Sequence, residues 1–392
     1  MVEWIKIRDL FDTRNGYTPS TNVESFWEDG TIPWFKMDDI RDNGSVLNDS
    51  KLHVTEKAIK GKSIFKANSI ILATSATIGE HALILVEHLC NQRFTNLYPQ
   101  KNYVDRVNMK YVYYYMFIVD EWCKQHTHQG GFASVDMEGL YKLPVPIPSI
   151  SEQTRIVGIL DTFTSSIENL KEQIALRRKQ YEHYRDQLLD LEGKEIKETL
   201  SFGKDFQLKA RIGWQGLTKK EYRESGDFKL VTGTDFTKNL RIDFDSCVYV
   251  DKERYEQDDY IKLKVGDVLI TKDGTLGKVA YIDVLDIPAT LNGGVFVVRD
   301  LKNRVLPKFT MYYLTSNHFK KWMQQNHTTG SIQHLTQKLL SSFTIPVFSK
   351  EEQSRIVSIL DTFEASISNL EAQLKEREKQ YEYYRNKLLT FE

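Results

Sequence analysis

The chain carries the stretch EQTRIVGILDTF at residues 152–163 and repeats it as EQSRIVSILDTF at residues 352–363. A comparison of residues 151–192 with 351–392, at an offset of 200 and without a gap, gives 25 identical positions among 42. An internal repeat constrains the fold before any local pattern does, because it implies similar structural units. The chain therefore has two similar halves, and we expect it to hold something with two sites a fixed distance apart.

Each copy of the repeat has the pattern of a long helix with a coiled-coil seam. Apolar and aromatic residues recur at alternating steps of three and four, and both copies are interrupted at the same place, by Arg177 and Arg377. This period predicts a helix that packs along another helix. The predicted seam residues are Ile156, Leu160, Phe163, Ile167, Leu170, Ile174, Tyr181 and Leu188 in the first copy, and Ile356, Leu360, Phe363, Ile367, Leu370, Leu374, Tyr381 and Leu388 in the second.

Local signals mark where these helices begin and end. Ser149 and Glu152 predict a capping box, as do their equivalents 200 residues later, and Gly193 predicts the end of the first helix. The helices either pack on separate globular cores or pack antiparallel on each other as a rigid strut. Two matched seams in one chain favour the strut, which at 1.5 Å per residue would reach about 60 Å.

The composition is that of a soluble globular protein with more than one core. The chain has 392 residues, of which 41% are hydrophobic and 27% charged, and its net charge is −1. A neutral total gives no hint of nucleic acid, although binding needs only a local basic face. Three widely spaced cysteines fit no disulfide framework, and an apolar run of about 20 residues is lacking. We expect a cytoplasmic protein that does not cross a membrane.

The segments between the helices also match each other, with a pattern typical of α/β domains. Residues 69–79 align with residues 267–277, and each stretch predicts a buried strand that runs into a turn of Thr, Ser or Gly residues. A second strand follows each turn. Residues 34–40 align in the same way with residues 230–236. The frame is thus shared, whereas the polar residues at the turns differ, which suggests two modules that recognise different instances of one type of ligand.

Later in each segment the pattern predicts helices. Residues 111–116 and 311–314 predict one helix each, followed by a glycine turn and a second short helix at 131–134 and 330–334. The predicted fold class is α+β, with two α/β domains separated by two long antiparallel coiled-coil helices in a pseudo-two-fold internal repeat. The predicted boundaries are 1–149 for the first domain, 150–193 for the central helix, 194–349 for the second domain and 350–392 for the C-terminal helix.

The sequence predicts no catalytic residue and no metal ligand. It lacks the Asn-Pro-Pro-aromatic or Asp-Pro-Pro-aromatic run of an amino-methyltransferase. Residues 274–278 read Gly-Thr-Leu-Gly-Lys, but a P-loop has four residues between its glycines and a Ser or Thr after its lysine. His126 and His128 have no cysteine or carboxylate at the spacing that would complete a metal site. Stand-alone catalysis is therefore not expected.

Several motifs resemble those of one known family, and their order along the chain and the partial repetition in the second half add to the resemblance. They are Gln153-x-Arg155-Ile156 with its copy at 353–356, Gly-Tyr-Thr-Pro-Ser-Thr at 16–21, and Gly-Ser-Ile-Gln-His-Leu at 330–335. Together they resemble the specificity subunit of type I restriction–modification systems, and the resemblance extends over the whole chain. The second half departs from it at residues 216–222, where Gly-Leu-Thr-Lys-Lys-Glu-Tyr replaces the Gly-Tyr-Thr-Pro-Ser-Thr stretch, so the first turn of the second domain is expected to differ in shape.

The resemblance implies a DNA-binding protein without activity of its own. Such a subunit binds double-stranded DNA and two modification subunits, which carry S-adenosylmethionine and methylate adenine in each half of a split target. Restriction subunits, where present, add ATP- and Mg-dependent translocation and cleavage. By this resemblance residues 1–149 read one half-site and 194–349 the other, while the helices set the gap. Half-sites on one face of DNA lie roughly 34 Å apart, which a helix of about 60 Å can accommodate.

Candidate DNA-binding residues were chosen by their position at turns and helix starts and by their chemistry. Short polar side chains suit contacts with base edges, and lysines or arginines suit phosphates. In the first domain the candidates are Lys36, Arg41, Thr74, Ser75, Thr77, Phe132 and Ser134. In the second they are Thr232, Thr234, Lys272, Asp273, Thr275, Lys278, Ser331, Gln333 and His334.

Two other functions are compatible with parts of this pattern. A scaffolding protein could bind a protein partner with each domain and use the coiled coil as a spacer, without DNA. An independent enzyme with an unrecognised site is the third possibility, although the missing motifs disfavour it. Neighbouring reading frames for a methyltransferase and a translocase would discriminate between these functions.

Overall fold

The computed structural model describes residues 2–61, 63–128, 133–211, 216–326 and 335–391. The chain divides into two compact units. The first unit combines Met1–Asn169 with Leu374–Glu392, and the second is Leu170–Gln373. Each unit therefore contains one domain and a part of both long helices.

The first unit contains a domain of short strands and helices, which is followed by a long helix. Its strands are β1 (Glu3–Lys6), β2 (Phe11–Asn15), β3 (Ile32–Phe35), β4 (Val46–Leu47), β5 (His53–Val54), β6 (Ser69–Ala73), β7 (His81–Ile84), β8 (Leu89–Cys90), β9 (Phe94–Pro99), β10 (Thr127–His128), β11 (Ser134–Val135) and β12 (Pro144–Ile147). Its helices are α1 (Ile7–Leu10), α2 (Met37–Asn43), α3 (Met109–Gln125) and α4 (Met137–Lys142), and the long helix is α5 (Ile150–Leu188).

The second unit repeats this succession. Its strands are β13 (Glu198–Ser201), β14 (Phe206–Lys209), β15 (Lys229–Val231), β16 (Val248–Tyr249), β17 (Val268–Thr271), β18 (Val279–Tyr281), β19 (Ala289–Leu291), β20 (Val295–Asp300) and β21 (Thr344–Val347). Its helices are α6 (Phe202–Asp205), α7 (Lys252–Glu256), α8 (Pro307–Tyr313), α9 (Asn317–Asn326) and α10 (Gln337–Ser341), and the second long helix is α11 (Lys350–Leu389).

The two domains share one sheet topology among their described residues, except that the edge strand β4 of the first domain has no counterpart in the second. In the first, a sheet has the order β2-β9-β6-β7-β4, and a smaller sheet has the order β5-β3-β8. In the second, the corresponding orders are β14-β20-β17-β18 and β16-β15-β19. The smaller sheets agree in direction too, since β3 runs parallel to β8 and β15 runs parallel to β19. The fainter match between the two sequence segments therefore reflects a repeated fold.

Proline-rich runs close each domain at the root of the long helix. Strand β12 pairs antiparallel with β1 at the start of the chain, and β21 pairs antiparallel with β13. The prolines prevent these runs from joining the helices that follow. Each domain thus begins and ends at the same place, next to a long helix.

Each main sheet separates two hydrophobic cores. In β6, Ile70 and Leu72 face the core that contains α3, whereas Ile71 and Ala73 face the core that contains β3 and β8. A strand buried on both faces is a continuous apolar run, as the sequence pattern predicted. The start of α5 contributes Ile156 to the first of these cores, and the start of α11 contributes Ile356 in the same way.

A buried glutamine fixes the start of each long helix to its domain. The Gln153 side chain is fully buried and accepts the Asn108 backbone N–H at 2.8 Å, while its amide nitrogen donates to the carbonyls of Arg106 and Pro148 at 2.9 Å. Gln353 makes the same three bonds, to the Leu306 N–H and to the carbonyls of residues 304 and 348. The repeated Gln-x-Arg-Ile motif is therefore a hydrogen-bonded joint.

An aspartate two turns further on forms a second matched contact. Asp161 accepts hydrogen bonds from Lys110 at 2.8 Å and from the Tyr114 hydroxyl at 2.6 Å. Asp361 accepts from Lys308 and Tyr312, both at 2.7 Å. These contacts hold the first turns of the long helices against α3 and α8.

Within each unit the two long helices also pack on each other. In the first unit, Phe163 near the start of α5 stacks on Tyr384 near the end of α11, with ring centres 5.4 Å apart. In the second, Phe363 stacks on Tyr184 at 5.5 Å. The start of one helix thus lies beside the end of the other, which is the antiparallel arrangement. Both packing alternatives are realised, because the first turns of each helix pack on a domain core and later turns pack on the other helix.

Two local predictions require correction, and one helix was not predicted. The helix α5 ends at Leu188 rather than Gly193, because the chain turns there and buries Leu189 in the core of the second domain. Ser134 was predicted to lie in a helix, but it lies in β11, and the helix begins three residues later, where the Asp136 side chain caps it by accepting the Gly139 N–H. In the second half, α9 follows α8 directly, which the sequence pattern did not predict.

The two domains differ in the group that donates to the carbonyl at the end of the parallel strand. In the first domain, the Tyr17 N–H donates to the Cys90 carbonyl at 2.8 Å. In the second, the Arg211 side chain approaches the equivalent carbonyl, and its Nε donates to the oxygen of Leu291 at 3.0 Å. Arg211 is fully buried and donates further hydrogen bonds to Gln257 and Arg254. A buried side chain thus does what backbone does in the first domain.

Candidate nucleic-acid interface

The carboxyl ends of several strands meet at one edge of the first domain. Strands β2, β3, β6 and β8 all end there, since β2 and β6 run antiparallel to β9 and β3 runs parallel to β8. The turns that follow them contain mostly polar residues. We call these turns the first polar edge, which comprises residues 16–20, 36–38, 74–77, 91–93 and 134.

Backbone hydrogen bonds order these turns in a line. The Asn91 N–H donates to the Phe35 carbonyl at 3.0 Å, and the Thr74 N–H donates to the Arg93 carbonyl at 2.9 Å. The Val135 N–H in turn donates to the Thr74 carbonyl at 2.9 Å. Residues that are distant in sequence are therefore adjacent along this edge, and the pair of Thr74 and Arg93 lies at its middle.

The structure brings the predicted candidates Thr74, Ser75 and Ser134 together. Ser75 and Ser134 form a β-bridge, so the turn after β6 and the strand β11 are neighbours. The Thr74 side chain is buried, and its hydroxyl lies 3.0 Å from that of Thr95. Thr74 therefore supports the edge, whereas Ser75, Thr77 and Ser134 are half-buried at its surface.

The two basic candidates of the first domain carry ion pairs. Lys36 lies 3.0 Å from Asp38, and this contact holds the pKa of the Asp38 carboxyl below its usual value. Arg41 lies 3.0 Å from Glu80, which raises the pKa of the arginine. Both pairs are exposed to solvent, so they can exchange a carboxylate partner for another anion at little cost.

The second domain presents the same line of turns, the second polar edge, which comprises residues 232–235, 272–275 and 292–294. The Asn292 N–H donates to the Val231 carbonyl at 2.9 Å, and the Lys272 N–H donates to the Gly294 carbonyl at 2.9 Å. The Leu335 N–H donates to the Lys272 carbonyl at 3.0 Å. The order is that of the first domain, turn by turn. The two edges therefore share one backbone frame.

A buried aspartate shapes the turn after the parallel strand in both domains. The Asp39 carboxylate accepts the Lys36 N–H at 2.8 Å, and Asp235 accepts the Thr232 N–H at 2.7 Å. Asp39 also accepts the Lys51 N–H at 2.9 Å. Asp39 and Asp235 therefore have the same role, each shaping the turn of its own domain.

The side chains of the second polar edge are largely accessible. The hydroxyls of Thr232 and Thr234 lie 2.7 Å apart, and Thr234 is exposed. Asp273, Thr275 and Lys278 are exposed as well. The Lys272 ammonium lies over the ring of Phe296, 5.3 Å from its centre, in a favourable cation–π position.

Reasoning from the sequence missed the turn between β8 and β9 in the first domain and its equivalent between β19 and β20 in the second. Residues Asn91-Gln92-Arg93 occupy it in the first domain, and Asn292-Gly293-Gly294 in the second. The asparagine side chain caps this turn in both, accepting the N–H of Arg93 at 3.0 Å and of Gly294 at 3.1 Å. The shared asparagine directly after a buried strand is the signal that could have identified it.

Four of the predicted candidates lie outside the described residues. They are Phe132, Ser331, Gln333 and His334.

The described part of the chain holds no group of three or more His, Cys, Asp or Glu residues arranged to bind a metal ion. No helix in the described ranges is both long and apolar enough to cross a membrane.

A cavity of about 730 Å³ lies in the second unit beside Glu364 and Arg241. Burial is the main cause that raises the pKa of Glu364, to about 7, and the Arg241 guanidinium 3.7 Å away opposes this effect. The Glu364 Oε1 atom has no hydrogen-bond partner among the described residues. The equivalent residue of the first copy is Thr164, so this acidic group belongs to the second half alone.

Comparison with known proteins identifies the group to which the sequence belongs. Residues 1–177 and 215–379 match the family described as the type I restriction modification DNA specificity domain. The chain belongs to this family. The resemblance inferred from the doubled motifs is thereby confirmed.

Individual specificity subunits of this family are similar to the chain to different extents. The specificity subunit of the type I restriction enzyme EcoprrI from Escherichia coli is 45% identical over 206 residues, which cover 50% of this chain and 51% of that protein. The alignment thus spans about half the length of that relative. The EcoR124I/EcoR124II specificity subunit, also from Escherichia coli, is 30% identical over 72% of this chain and 71% of its own length. A putative specificity subunit from Haemophilus influenzae is 25% identical over 95% of this chain and 98% of its own.

Solved structures confirm the fold. The S subunit of a type I restriction–modification system from M. genitalium matches with a TM-score of 0.57 at 17% identity, over 100% of this chain and 97% of that one. A chain from a structure on the assembly and conformational transition of the type I system matches with a TM-score of 0.64 at 16% identity, over 99% and 96%. The predicted α+β fold, with two α/β domains and two long helices, is confirmed. None of these comparisons supports the alternative of a protein scaffold.

Proposed function

We propose that this chain is the sequence-specific DNA recognition subunit of a type I restriction–modification complex. Membership of the specificity family supports this function, and so does the polar edge that each domain carries. The single observation that carries it is that two edges with the same backbone frame hold different side chains. A DNA target with two unlike halves needs such a protein. The shared frame fits the duplex in both halves, and the two different sets of side chains read the bases of each half.

Each domain reads one half-site in this proposal. Residues 1–149 form the first target recognition domain and residues 194–349 the second. Exposed hydroxyl and carboxylate groups such as those of Ser75, Thr234, Asp273 and Thr275 contact base edges, where each base pair presents a different pattern of donors and acceptors. Lys36, Arg41 and Lys278 contact phosphates, which position the protein without reading sequence.

The long helices are the spacer between the half-sites and the docking surface for partners. Residues 150–193 and 350–392 set the gap, and their exposed faces hold two modification subunits. Those subunits carry S-adenosylmethionine and methylate adenine, while restriction subunits, if they join, bring ATP and Mg. The chain itself contributes recognition rather than catalysis, and the complex acts in the cytoplasm. Because the chain is near neutral, we expect it to bind DNA weakly alone and tightly with its partners.

The test is a map of adenine methylation at base resolution. Cells carry the chain with its neighbouring modification subunit, and control cells carry the modification subunit alone. A split motif that disappears without the chain is the expected result, and it gives both half-sites and the gap. Methylation that does not depend on the chain would contradict the proposal and revive the protein scaffold.

A further inference from the structure

The middle of each polar edge consists of two residues joined by one backbone hydrogen bond. In the first domain the pair is Thr74 and Arg93, and in the second it is Lys272 and Gly294. Each pair contains one basic residue, but on opposite members. Arg93 lies in the turn between β8 and β9, whereas Lys272 follows β17 directly. The central pair thus carries a single cation in each domain, on one of two adjacent backbone positions.

The residues beneath each central pair fit the member of the pair that carries the basic side chain. Thr74 turns its hydroxyl inward to Thr95, and this small buried side chain leaves the surface to Arg93. Phe296 stands in the second domain where Thr95 stands in the first, and its ring lies under the ammonium of Lys272. The position opposite Lys272 is Gly294, which adds no side chain that would compete for the same surface. Each cation is therefore accommodated by its own surroundings.

Arg93 differs from the other basic candidates of its edge. Its side chain is exposed, and it forms no ion pair with any described residue. Lys36 and Arg41, by contrast, are each paired with a carboxylate at 3.0 Å. Along the line of turns, Arg93 lies between the turn that follows β3 and the strand β11. It therefore occupies the centre of the edge.

Position and chemistry together indicate what such a cation contacts. A protein edge that crosses a groove faces base edges at its middle and the phosphates of the flanking strands at its ends. Guanine presents two acceptors, O6 and N7, in the major groove, and arginine or lysine is the side chain that most often reads them. An unpaired cation at the centre therefore fits a guanine, whereas the cations outside the central pair fit phosphates.

We propose that Arg93 and Lys272 are specificity-determining residues, and that each reads one guanine in the half-site of its own domain. This inference rests on the proposed function, because it assumes that the polar edges bind DNA. It names the residues and the base that the recognition depends on.

Arg93→Ala and Lys272→Ala test the proposal in cells that carry the neighbouring modification subunit, with base-resolution adenine methylation as the readout. Arg93→Ala is expected to remove the preference for guanine at one position of the first half-site, by roughly 10- to 100-fold. Every position of the second half-site keeps its preference. Lys272→Ala is expected to relax one position of the second half-site alone.

Lys278→Ala is the matched control, because Lys278 is an exposed lysine three residues beyond the central turn, 272–275, of the same domain. As a phosphate contact it should lower methylation at all target sites without relaxing any position. Folding is checked by the circular dichroism of each purified variant. Because the Arg93 side chain makes no described ion pair, Arg93→Ala is expected to retain the wild-type spectrum and melting temperature.

A double variant that moves the cation within the central pair separates a loss of base reading from a general loss of DNA binding. Gly294→Arg combined with Lys272→Thr gives the second domain the arrangement of the first. The site admits a side chain, since a Cβ on Gly294 would find its nearest neighbour, the Cβ of Asp273, at 3.7 Å. The variant is expected to keep a guanine in the second half-site, which Lys272→Thr alone would lose, and to leave the first half-site as it was.

The outcomes separate this inference from the function on which it rests. If Arg93→Ala lowers methylation equally at all sites with an unchanged motif, Arg93 contacts a phosphate and the inference is wrong while the function stands. The inference also fails if neither the level nor the motif changes. If wild-type methylation does not depend on the chain at all, the proposed function itself fails.

Discussion

The guanidinium of Arg177 lies over the ring of Phe363, 5.9 Å from its centre, and Arg377 lies in the same way over Phe163, at 5.7 Å. Both arginines interrupt an otherwise apolar seam. Their long stems cover apolar surface while the charge faces the electron-rich ring. The interruption is therefore a packing contact between the two helices within each unit.

This contact predicts a measurable coupling. Phe363→Ala should lower the free energy of unfolding of the second unit by about 2 kcal/mol, since it removes the stacking on Tyr184 as well as the ring beneath Arg177. In a double-mutant cycle with Arg177→Ala, the coupling should be about 0.5–1 kcal/mol. Urea unfolding of the four proteins measures it. Additive effects would show that the arginine and the ring do not interact.

The glutamine joints make a prediction that differs between the units. Gln153→Ala leaves the Asn108 N–H and two carbonyls without their partner, and it should destabilise the first unit by about 2–3 kcal/mol. Gln353→Ala should do the same to the second. Hydrogen exchange followed by mass spectrometry locates each effect by the amides that lose protection. Gln373→Ala, an exposed glutamine of α11, is the control, with an expected change within about 0.5 kcal/mol. Protection lost equally in both units would contradict a local joint.

Glu364 predicts how stability depends on pH. Its folded-state pKa is raised to about 7, so the folded protein binds this proton more tightly than the unfolded chain does, whose carboxyl titrates near 4.5. The stabilisation is present below about pH 4.5 and is lost as the pH rises through about 7, with a total of about 3 kcal/mol. Glu364→Gln should therefore flatten the fall in unfolding free energy between pH 5 and pH 8. Glu382→Gln, an exposed carboxylate of the same helix, should keep the wild-type slope. The same slope in all three proteins would rule out Glu364 as its source.

The proposed spacer predicts what deletions in the long helices do to the gap. Removal of residues 164–170 alone should abolish recognition, because the seam residues of α5 then no longer match those of α11. Removal of residues 164–170 together with 364–370 restores the match and shortens each helix by about 10 Å. The gap in the methylated motif should then shrink by about three base pairs. Methylation mapping reads the gap directly, and an unchanged gap with the paired deletion would refute the spacer.

The parts of the fold that could be predicted were those written as repeated apolar patterns. The heptad steps located α5 and α11, and the alignment of residues 69–79 with 267–277 located β6 and β17, because burial on both faces leaves a continuous apolar run. The end of α5 was misplaced since Gly193 looks like a helix terminus, whereas the burial of Leu189 decides it. Tertiary packing overrides a local signal in that case.

The polar edges were only partly predictable for a related reason. Thr74 and Ser134 are 60 residues apart, and nothing in the sequence states that their turns meet. The turn of Asn91 and Arg93 was missed because only its asparagine is shared with the second domain. Thr74 also has the right chemistry for base contact, but its hydroxyl points to Thr95 in the interior. Residue type selects candidates, and only geometry shows which of them reach the surface.

The composition of the first unit has a consequence for biosynthesis. Leu389 is fully buried in the core of the first domain, together with residues that precede it by more than 200 positions. A ribosome must therefore translate the second domain before the first core can close. Until α11 has been synthesised, the first domain lacks part of its core and exposes apolar surface. Chaperones or early assembly partners would bind this surface during that interval. A cut in the last turns of α11 should accordingly damage the domain at the opposite end of the sequence.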